Sequence, residues 1–502
     1  CISNYKANAI KQYNYLIELF NSKRQIFILS TSATSISNDS LSNIIFESHS
    51  QYCESTLAHR RITQKNILPL IEIRQTNASY GIEAIGTSYE GRSIQMIRTG
   101  KGPRKILLWS QMHGDEATAT MASFDILNFL EGKNDGLDEI RSKILTETTL
   151  YFIPMLNPDG AERFQRRNAQ NIDLNRDALA LQAPESKILK AIQQSIKPEF
   201  GFNLHDKNPR YSVGNTAQLA TVSFLATAYD ADKNVNEVRK KSMQLIAGMN
   251  RTLQNFIPNQ IGRWSEDFEP RAFGDNIQKW GTTLILIESG GYAGDPEKQY
   301  IRKLNYVALL SGLYSIAQNS YQHEDIADYY AIPENARYIY DLLIRQATVQ
   351  HGASEYQMDL GINRNEINSD YGSAFYYQSI IEDLGDLSIF HGTQELDATG
   401  YHITPGNTYL FKDQDECSPQ QAWDLLRLGY TCILGKNVQP NIPNEVFPLQ
   451  MINTPSKTEE VPTLDQDAYF FLTKDGINKY AIVNGFLFDL DSRTMIPIKK
   501  AK

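Results

Sequence analysis

Between residues 68 and 316, short apolar runs alternate with longer amphipathic stretches. The runs at 106–109, 150–156, 200–204 and 282–287 are bounded by polar or turn residues, which predicts buried strands. The stretches 119–130, 186–196, 234–256 and 306–317 carry apolar positions at helical spacing and predict helices. This alternation predicts an α/β domain: a mostly parallel or mixed sheet with helices on both faces. After about Asn319 the pattern changes. Residues 322–335 are polar and carry Pro333, which suits a linker. Beyond them, β-branched runs such as 342–349 and 480–488 predict a mostly-β region with one helix near 420–428. The resulting division is a lead-in with a helical segment (1–67), an α/β domain (68–320), a linker (321–337) and a β-rich C-terminal domain (338–502). Within the lead-in, residues 30–42 are rich in Ser, Thr and Asn and read as flexible.

Composition narrows the class. A chain of 502 residues can hold two or three domains and a large core. Its 41% hydrophobic and 21% charged residues are ordinary for a soluble globular protein. The net charge of −9 argues against general nucleic-acid binding, which needs a basic face. No apolar run approaches the ~18 residues of a transmembrane helix. Cys1, Cys53, Cys417 and Cys432 form neither a disulfide framework nor a cysteine zinc site. Cys417 and Cys432 could pair in an oxidising compartment, or stay as two thiols. The first residue is Cys, as in a mature lipid-anchored bacterial protein; an incomplete reading frame explains it equally well. Lys23-Arg24 before Ile26-Phe27-Ile28-Leu29 resembles a signal peptide with a short apolar core. These features point to a secreted, periplasmic or cell-envelope location.

The chemistry starts at Trp109-Ser110-Gln111-Met112-His113-Gly114-Asp115-Glu116. An imidazole and a carboxylate lie three positions apart, just beyond a predicted strand, where open α/β sheets place their sites. Such a nitrogen–oxygen pair can share one zinc ion and leave room for a third ligand and a water. Further polar stretches follow: Asn157-Pro158-Asp159-Gly160, Arg166-Arg167-Asn168, Asp173-Leu174-Asn175-Arg176, Asn203-Leu204-His205-Asp206 and Ile287-Glu288-Ser289-Gly290-Gly291. Three of these directly follow apolar strands and could converge on one edge of the sheet. The two arginine-bearing stretches lie on a connection between strands.

In this order, His113-x-x-Glu116, Asn157-Pro158-Asp159-Gly160, Asp173-Leu174-Asn175-Arg176, His205 and Glu288 resemble the zinc metallocarboxypeptidase family over residues 70–320. The resemblance implies a carboxypeptidase-like fold and one zinc ion held by His113, Glu116 and His205. It implies Glu288 as general base and Arg166, ahead of Arg167, as the group facing the oxyanion. Asn175 and Arg176 would hold a substrate carboxylate. Arg271 and Phe273 lie on an expected substrate-pocket loop, Phe273 favouring an apolar side chain and Arg271 an acidic group. Asp206 would be a partner of the ligands or a helix cap. The bland readings are surface histidines, a salt-bridged Glu288 and surface arginines. A carboxylate at the end of a core strand is costly without a purpose, which favours catalysis for Glu288. The other histidines (His49, His59, His323, His351, His391 and His402) have no ligand-like spacing and read as structural.

One departure bears on function. Many family members carry a mobile Tyr some twenty residues before the general base, yet residues 230–288 contain none. Tyr292 follows Glu288 and could compensate. The main expectation is a zinc metallocarboxypeptidase acting at the C-terminus of peptides. The alternatives are a zinc amidase or deacylase acting on acyl-amino-acid or peptidoglycan stem-peptide substrates, and a catalytically silent binding protein on a peptidase scaffold. In the C-terminal region, residues 342–349 and 395–400, followed by Pro405-Gly406, resemble the opening strands of the β-sandwich of amidohydrolases. The His-x-His pair that should follow is replaced by Asn407-Thr408-Tyr409, so a non-catalytic β domain is expected.

Overall fold

The predicted strands form the centre of an eight-stranded mixed sheet. In chain order the strands are β1 (Tyr80–Thr87), β2 (Ser93–Gly100), β3 (Arg104–Trp109), β4 (Thr148–Ile153), β5 (Phe200–Asp206), β6 (Ser212–Val213), β7 (Val222–Leu225), β8 (Ile261–Arg263) and β9 (Thr283–Ser289). The sheet order is β1-β2-β4-β3-β5-β9-β7-β8, while β6 pairs elsewhere. β4, β3, β5 and β9 run parallel to their neighbours in this block. β1 and β2 flank it antiparallel on one side and β7 on the other. Ile106, Leu107, Leu108 and Trp109 are all buried, as a parallel strand covered on both faces requires. The structure is a computed structural model that describes residues 38–411, 417–435, 446–452 and 461–497. Cys1 and the basic-apolar stretch at 23–29 lie outside the described residues.

Helix Gln299–Gln318 packs against helices Thr118–Glu131, Asp138–Glu147 and Glu237–Gln254 on one face of the sheet. On the other face, Leu189 and Ile196 of helix Pro184–Ile196 join Phe273 and Ile277 in a core cluster with Leu107, Trp109 and Leu284. Each such fully buried side chain contributes roughly 1.5–3 kcal/mol. On the first face, Arg302 grips Asp125 with two nitrogens, and Asp125 also lies 3.0 Å from His49 Nε2. His49 is thus held in a buried ion network, with Asp125 already committed to a guanidinium.

The chain divides into two units, Cys1–Ile44 and Ile45–Lys502. The described residues of the first, 38–44, are helical. Within the second, residues 321–337, expected as a linker, contain helix Ile326–Tyr330 and bury Tyr321 and Tyr329 completely. Asn335–Ala336 pairs with β6, so this stretch is part of the packed structure. Aromatic side chains that fill a core override a polar local pattern.

The C-terminal region is mostly β. Its nine-stranded sheet contains Leu342–His351, a long hairpin of Ser354–Ser369 and Ala374–Gly385, and Tyr469–Lys474 beside Ile477–Val483. The apolar run 480–488 falls on two antiparallel strands, Ile477–Val483 and Phe486–Asp489. They are joined by a turn at Asn484-Gly485, both left-handed. Helix Pro419–Arg427 starts with a capping box between Ser418 and Gln421. Cys53, Cys417 and Cys432 are free thiols, so the Cys417–Cys432 pairing is not made. Among the described residues, no helix is long and apolar enough to cross a membrane.

Candidate metal centre

β3 and β4 are parallel neighbours with Trp109 opposite Ile153, so the loops beyond their carboxyl ends run side by side. Backbone pairing continues past the strands: Ser110 donates to Ile153, Leu156 to Ser110 and Asn157 to Gln111. Gln111 sits at φ 43°, and its side-chain amide donates to the carbonyls of Ile62 and Gly114. Gly114 presses on the Asn157-Pro158-Asp159-Gly160 turn so closely that a Cβ there would lie 2.0 Å from the Gly160 carbonyl carbon. Only glycine permits that approach. The two sequence motifs are therefore one structural unit that sets the position of His113.

His113, Glu116 and His205 converge at this edge, each with an available ligand atom within 4.8 Å of the others. The two Nδ1 atoms are 3.1 Å apart. Glu116 places Oε1 2.8 Å from His113 Nδ1 and Oε2 2.7 Å from His205 Nδ1. All three residues are buried. His113 Nε2 lies 3.1 Å from Asp173 Oδ1, so in the neutral ring the proton sits on Nε2 and the Nδ1 lone pair faces the centre. His205 Nε2 is buried with no hydrogen-bond partner. Two imidazole nitrogens and a carboxylate drawn this close fit a small divalent cation, and N₂O is a donor set zinc accepts. Burial works against charge on His113, but Glu116 and Asp173 outweigh it and hold its pKa up to about 9. Burial pushes His205 down.

β5 and β9 run in parallel register with His205 beside Glu288, so both side chains leave the same face of the sheet. Burial, reinforced by the negative charge of Glu116, raises the Glu288 carboxyl well above the usual carboxylate range. Lys207 opposes that shift. Its buried ammonium donates to Ser223 and to Asn335 Oδ1, 3.3 Å away. Burial lowers its pKa to about 7, with Glu288 pulling the other way. Sequence reading missed both Lys207 and Asp173 as individual contributors. The only signal for Lys207 was a charge just past the end of a core strand.

Arg166 turns inward: Nη1 donates to His113 Nδ1 at 3.0 Å and to Glu116 Oε1 at 3.2 Å, while Nε donates to Asp173 Oδ2 at 3.0 Å. Arg167 turns away and donates to the Asn171 carbonyl. The Asp206 side chain touches none of the three candidate ligands: it accepts from Thr118 and Lys298, and only its backbone N–H supports Glu116. Asn175 accepts from the Phe273 backbone, which ties the expected carboxylate clamp to the pocket loop. Arg176 and Arg271 both pair with Glu269, at 3.3 and 3.0 Å. Phe273 is fully buried in the core beside Trp280, so its ring is not the pocket wall expected of it. Tyr292 packs on Tyr300 with ring centroids 4.6 Å apart.

The fold is thus a mixed α/β sheet with a candidate His/Glu/His metal group at the carboxyl ends of its parallel strands. Residues 72–199 match the family model for zinc carboxypeptidase. That match covers His113, Glu116 and Arg166 but stops short of His205 and Glu288. The chain is 27% identical over 151 residues to a probable carboxypeptidase 2 of Trichophyton verrucosum (strain HKI 0517), covering 29% of this chain and 28% of that protein. It is 26% identical over 137 residues to carboxypeptidase D of Drosophila melanogaster, covering 24% of this chain and 10% of that one. The chain thus spans well under half the length of either relative. A metallo-carboxypeptidase structure from Burkholderia cenocepacia aligns with TM-score 0.42 and 15% identity, covering 52% of this chain and 70% of that one.

Proposed function

We propose that this chain is a zinc-dependent metallocarboxypeptidase that hydrolyses peptide bonds at the C-terminus of peptides. The observation that carries this reading is the convergence of His113, Glu116 and His205, with Glu288 in register beside His205. The three would hold one zinc ion, which when bound lowers the pKa of water and polarises a carbonyl. Glu288 would take the proton of the attacking water and later give it to the leaving amine nitrogen. Its raised pKa suits a group that must both accept and release a proton. Arg166 would donate to the carbonyl oxygen as it gains charge. Asp173 would keep Arg166 and His113 oriented through one carboxylate.

Asn175 and Arg176 would hold the substrate's terminal carboxylate. Arg176 is paired with Glu269, so that carboxylate would have to compete for it. This pairing favours a second reading, a zinc amidase or deacylase, in which Arg176 stays with Glu269 and no free carboxylate is required. The assay that separates the two compares peptides with free and amidated C-termini, alongside metal analysis of the purified protein. The carboxypeptidase reading expects bound zinc, chelator-sensitive hydrolysis and a strong preference for the free C-terminus. Equal rates on both peptides would transfer the assignment to the amidase. Absence of both zinc and chelator-sensitive hydrolysis would sink both readings.

A further inference from the structure

The loop that carries Arg166 is strained and is gripped from outside by the C-terminal region. Phe164, two residues before Arg166, has φ 45°, a left-handed conformation that a bulky side chain adopts only when its surroundings impose it. On the inner side, the Gly114 N–H donates to the Gln165 carbonyl at 3.0 Å. On the outer side lies the end of the long hairpin Ser354–Ser369/Ala374–Gly385. Asn368 Nδ2 donates to the Phe164 carbonyl at 2.7 Å. Gly372, at φ 90°, lies so close that a Cβ would be 2.3 Å from the Arg163 carbonyl carbon. Arg61 joins the two: its guanidinium sits 3.9 Å from the Phe164 ring centroid and donates to Asn368 Oδ1 and the Gly372 carbonyl. Glu366 pairs with both Arg60 and Arg61. The hairpin tip is itself left-handed at Asp370 and Tyr371, so two strained segments are braced against each other.

We infer that the C-terminal β region completes the catalytic site, with Asn368, Gly372 and Arg61 clamping residues 163–165 and thereby positioning Arg166. These are positioning residues; they act through the loop and touch no reacting atom. The inference rests on the reading of Arg166 as an oxyanion donor. It gives the β region a role that its missing His-x-His pair left open. A shift of about 1 Å in such a group can lower a rate on the order of 100-fold, so a clamp this close to Arg166 has leverage.

The test uses the full chain with Asn368→Ala and Asn368→Asp, the latter keeping size but losing the donor. Tyr356→Ala, at the opposite end of the same hairpin, serves as control. Hydrogen exchange of amides 163–167 should quicken roughly tenfold in both Asn368 variants and not in the control. In peptide hydrolysis, Asn368→Ala should lower kcat roughly tenfold with KM little changed, the mark of a lost transition-state contact. In an Arg166→Ala background the same substitution should change kcat less than about twofold, because the effect runs through Arg166. Unchanged exchange at 163–167, or an equal loss of kcat in both backgrounds, would overturn the inference. If the wild type hydrolyses no peptide, the proposed function fails while the exchange measurement still decides whether the clamp exists.

Discussion

Asp173 makes the sharpest prediction, because one carboxylate serves two groups. Oδ1 faces His113 Nε2 at 3.1 Å and also accepts from the Asn175 N–H at 2.9 Å; Oδ2 accepts from Arg166 Nε at 3.0 Å. Burial alone would raise its pKa, but His113 and Arg166 hold it well below the usual carboxylate range. Asp173→Asn keeps the shape. Its carbonyl oxygen stays on the side of His113 and Asn175, where two donors need an acceptor, and its amide then points donors at the Arg166 N–H. His113 keeps its tautomer and Arg166 is released. Asp173→Ala removes both supports. Loss of a ligand's supporting partner typically costs 10–100-fold in metal affinity, or about 1.4–2.7 kcal/mol. The alanine variant should therefore weaken zinc binding roughly 100-fold, and the asparagine variant roughly tenfold or less. At saturating zinc, the asparagine variant should still lose roughly 100-fold in kcat, the scale of removing one oxyanion donor. Chelator competition reads the first quantity and peptide hydrolysis the second. A zinc affinity for Asp173→Ala within a factor of about two of wild type would refute the argument that Asp173 orients His113.

Two further outcomes are expected. Glu288→Gln should lower kcat by roughly 10²–10⁴ while the zinc content stays at the wild-type level, as expected if Glu288 serves as a base and not a ligand; unchanged hydrolysis would refute that role. Asp275, 6% exposed, has its pKa raised by burial from 3.8 to about 7. The folded state then binds more protons than the unfolded state across that interval, so stability falls as pH rises from about 4 to 7 and levels off above. Asp275→Asn removes this dependence, and its stability advantage over wild type should grow by about 2–3 kcal/mol between pH 5 and 8 in urea unfolding. A difference that is the same at both pH values would show that Asp275 is ionised throughout.

Much of the α/β architecture was legible because its strands are parallel and buried on both faces, which leaves continuous apolar runs such as 106–109 and 282–287. The same runs located the polar stretches at strand ends. The linker was misread because Tyr321 and Tyr329 are sparse in a polar stretch, and only packing reveals that both are buried. The 480–488 run marked the region as β but not the hairpin within it, because both arms are apolar and the turn between them is only two residues long. Phe273 shows the opposite failure: an aromatic on an expected pocket loop turned into the core, a choice that depends on which face of helix Phe273–Lys279 meets the sheet.

Sequence alone determined the identities and order of the chemical groups: His113 and Glu116 at spacing three, the Asn157–Gly160 turn, Asp173 to Arg176, His205 and Glu288. Spacing within a short loop is local information, carried by a few backbone angles. The tertiary structure decided the rest. It set His205 beside Glu288 through strand pairing, turned Arg166 inward and Arg167 away, and placed the Asp173 carboxylate against both His113 and Arg166. It also brought Asn368 against Phe164, some two hundred positions away in the chain. Those facts depend on which strands are neighbours and in what register, and a one-residue slip would turn every side chain to the opposite face. No local pattern encodes that choice; it follows from burying both faces of the sheet at once.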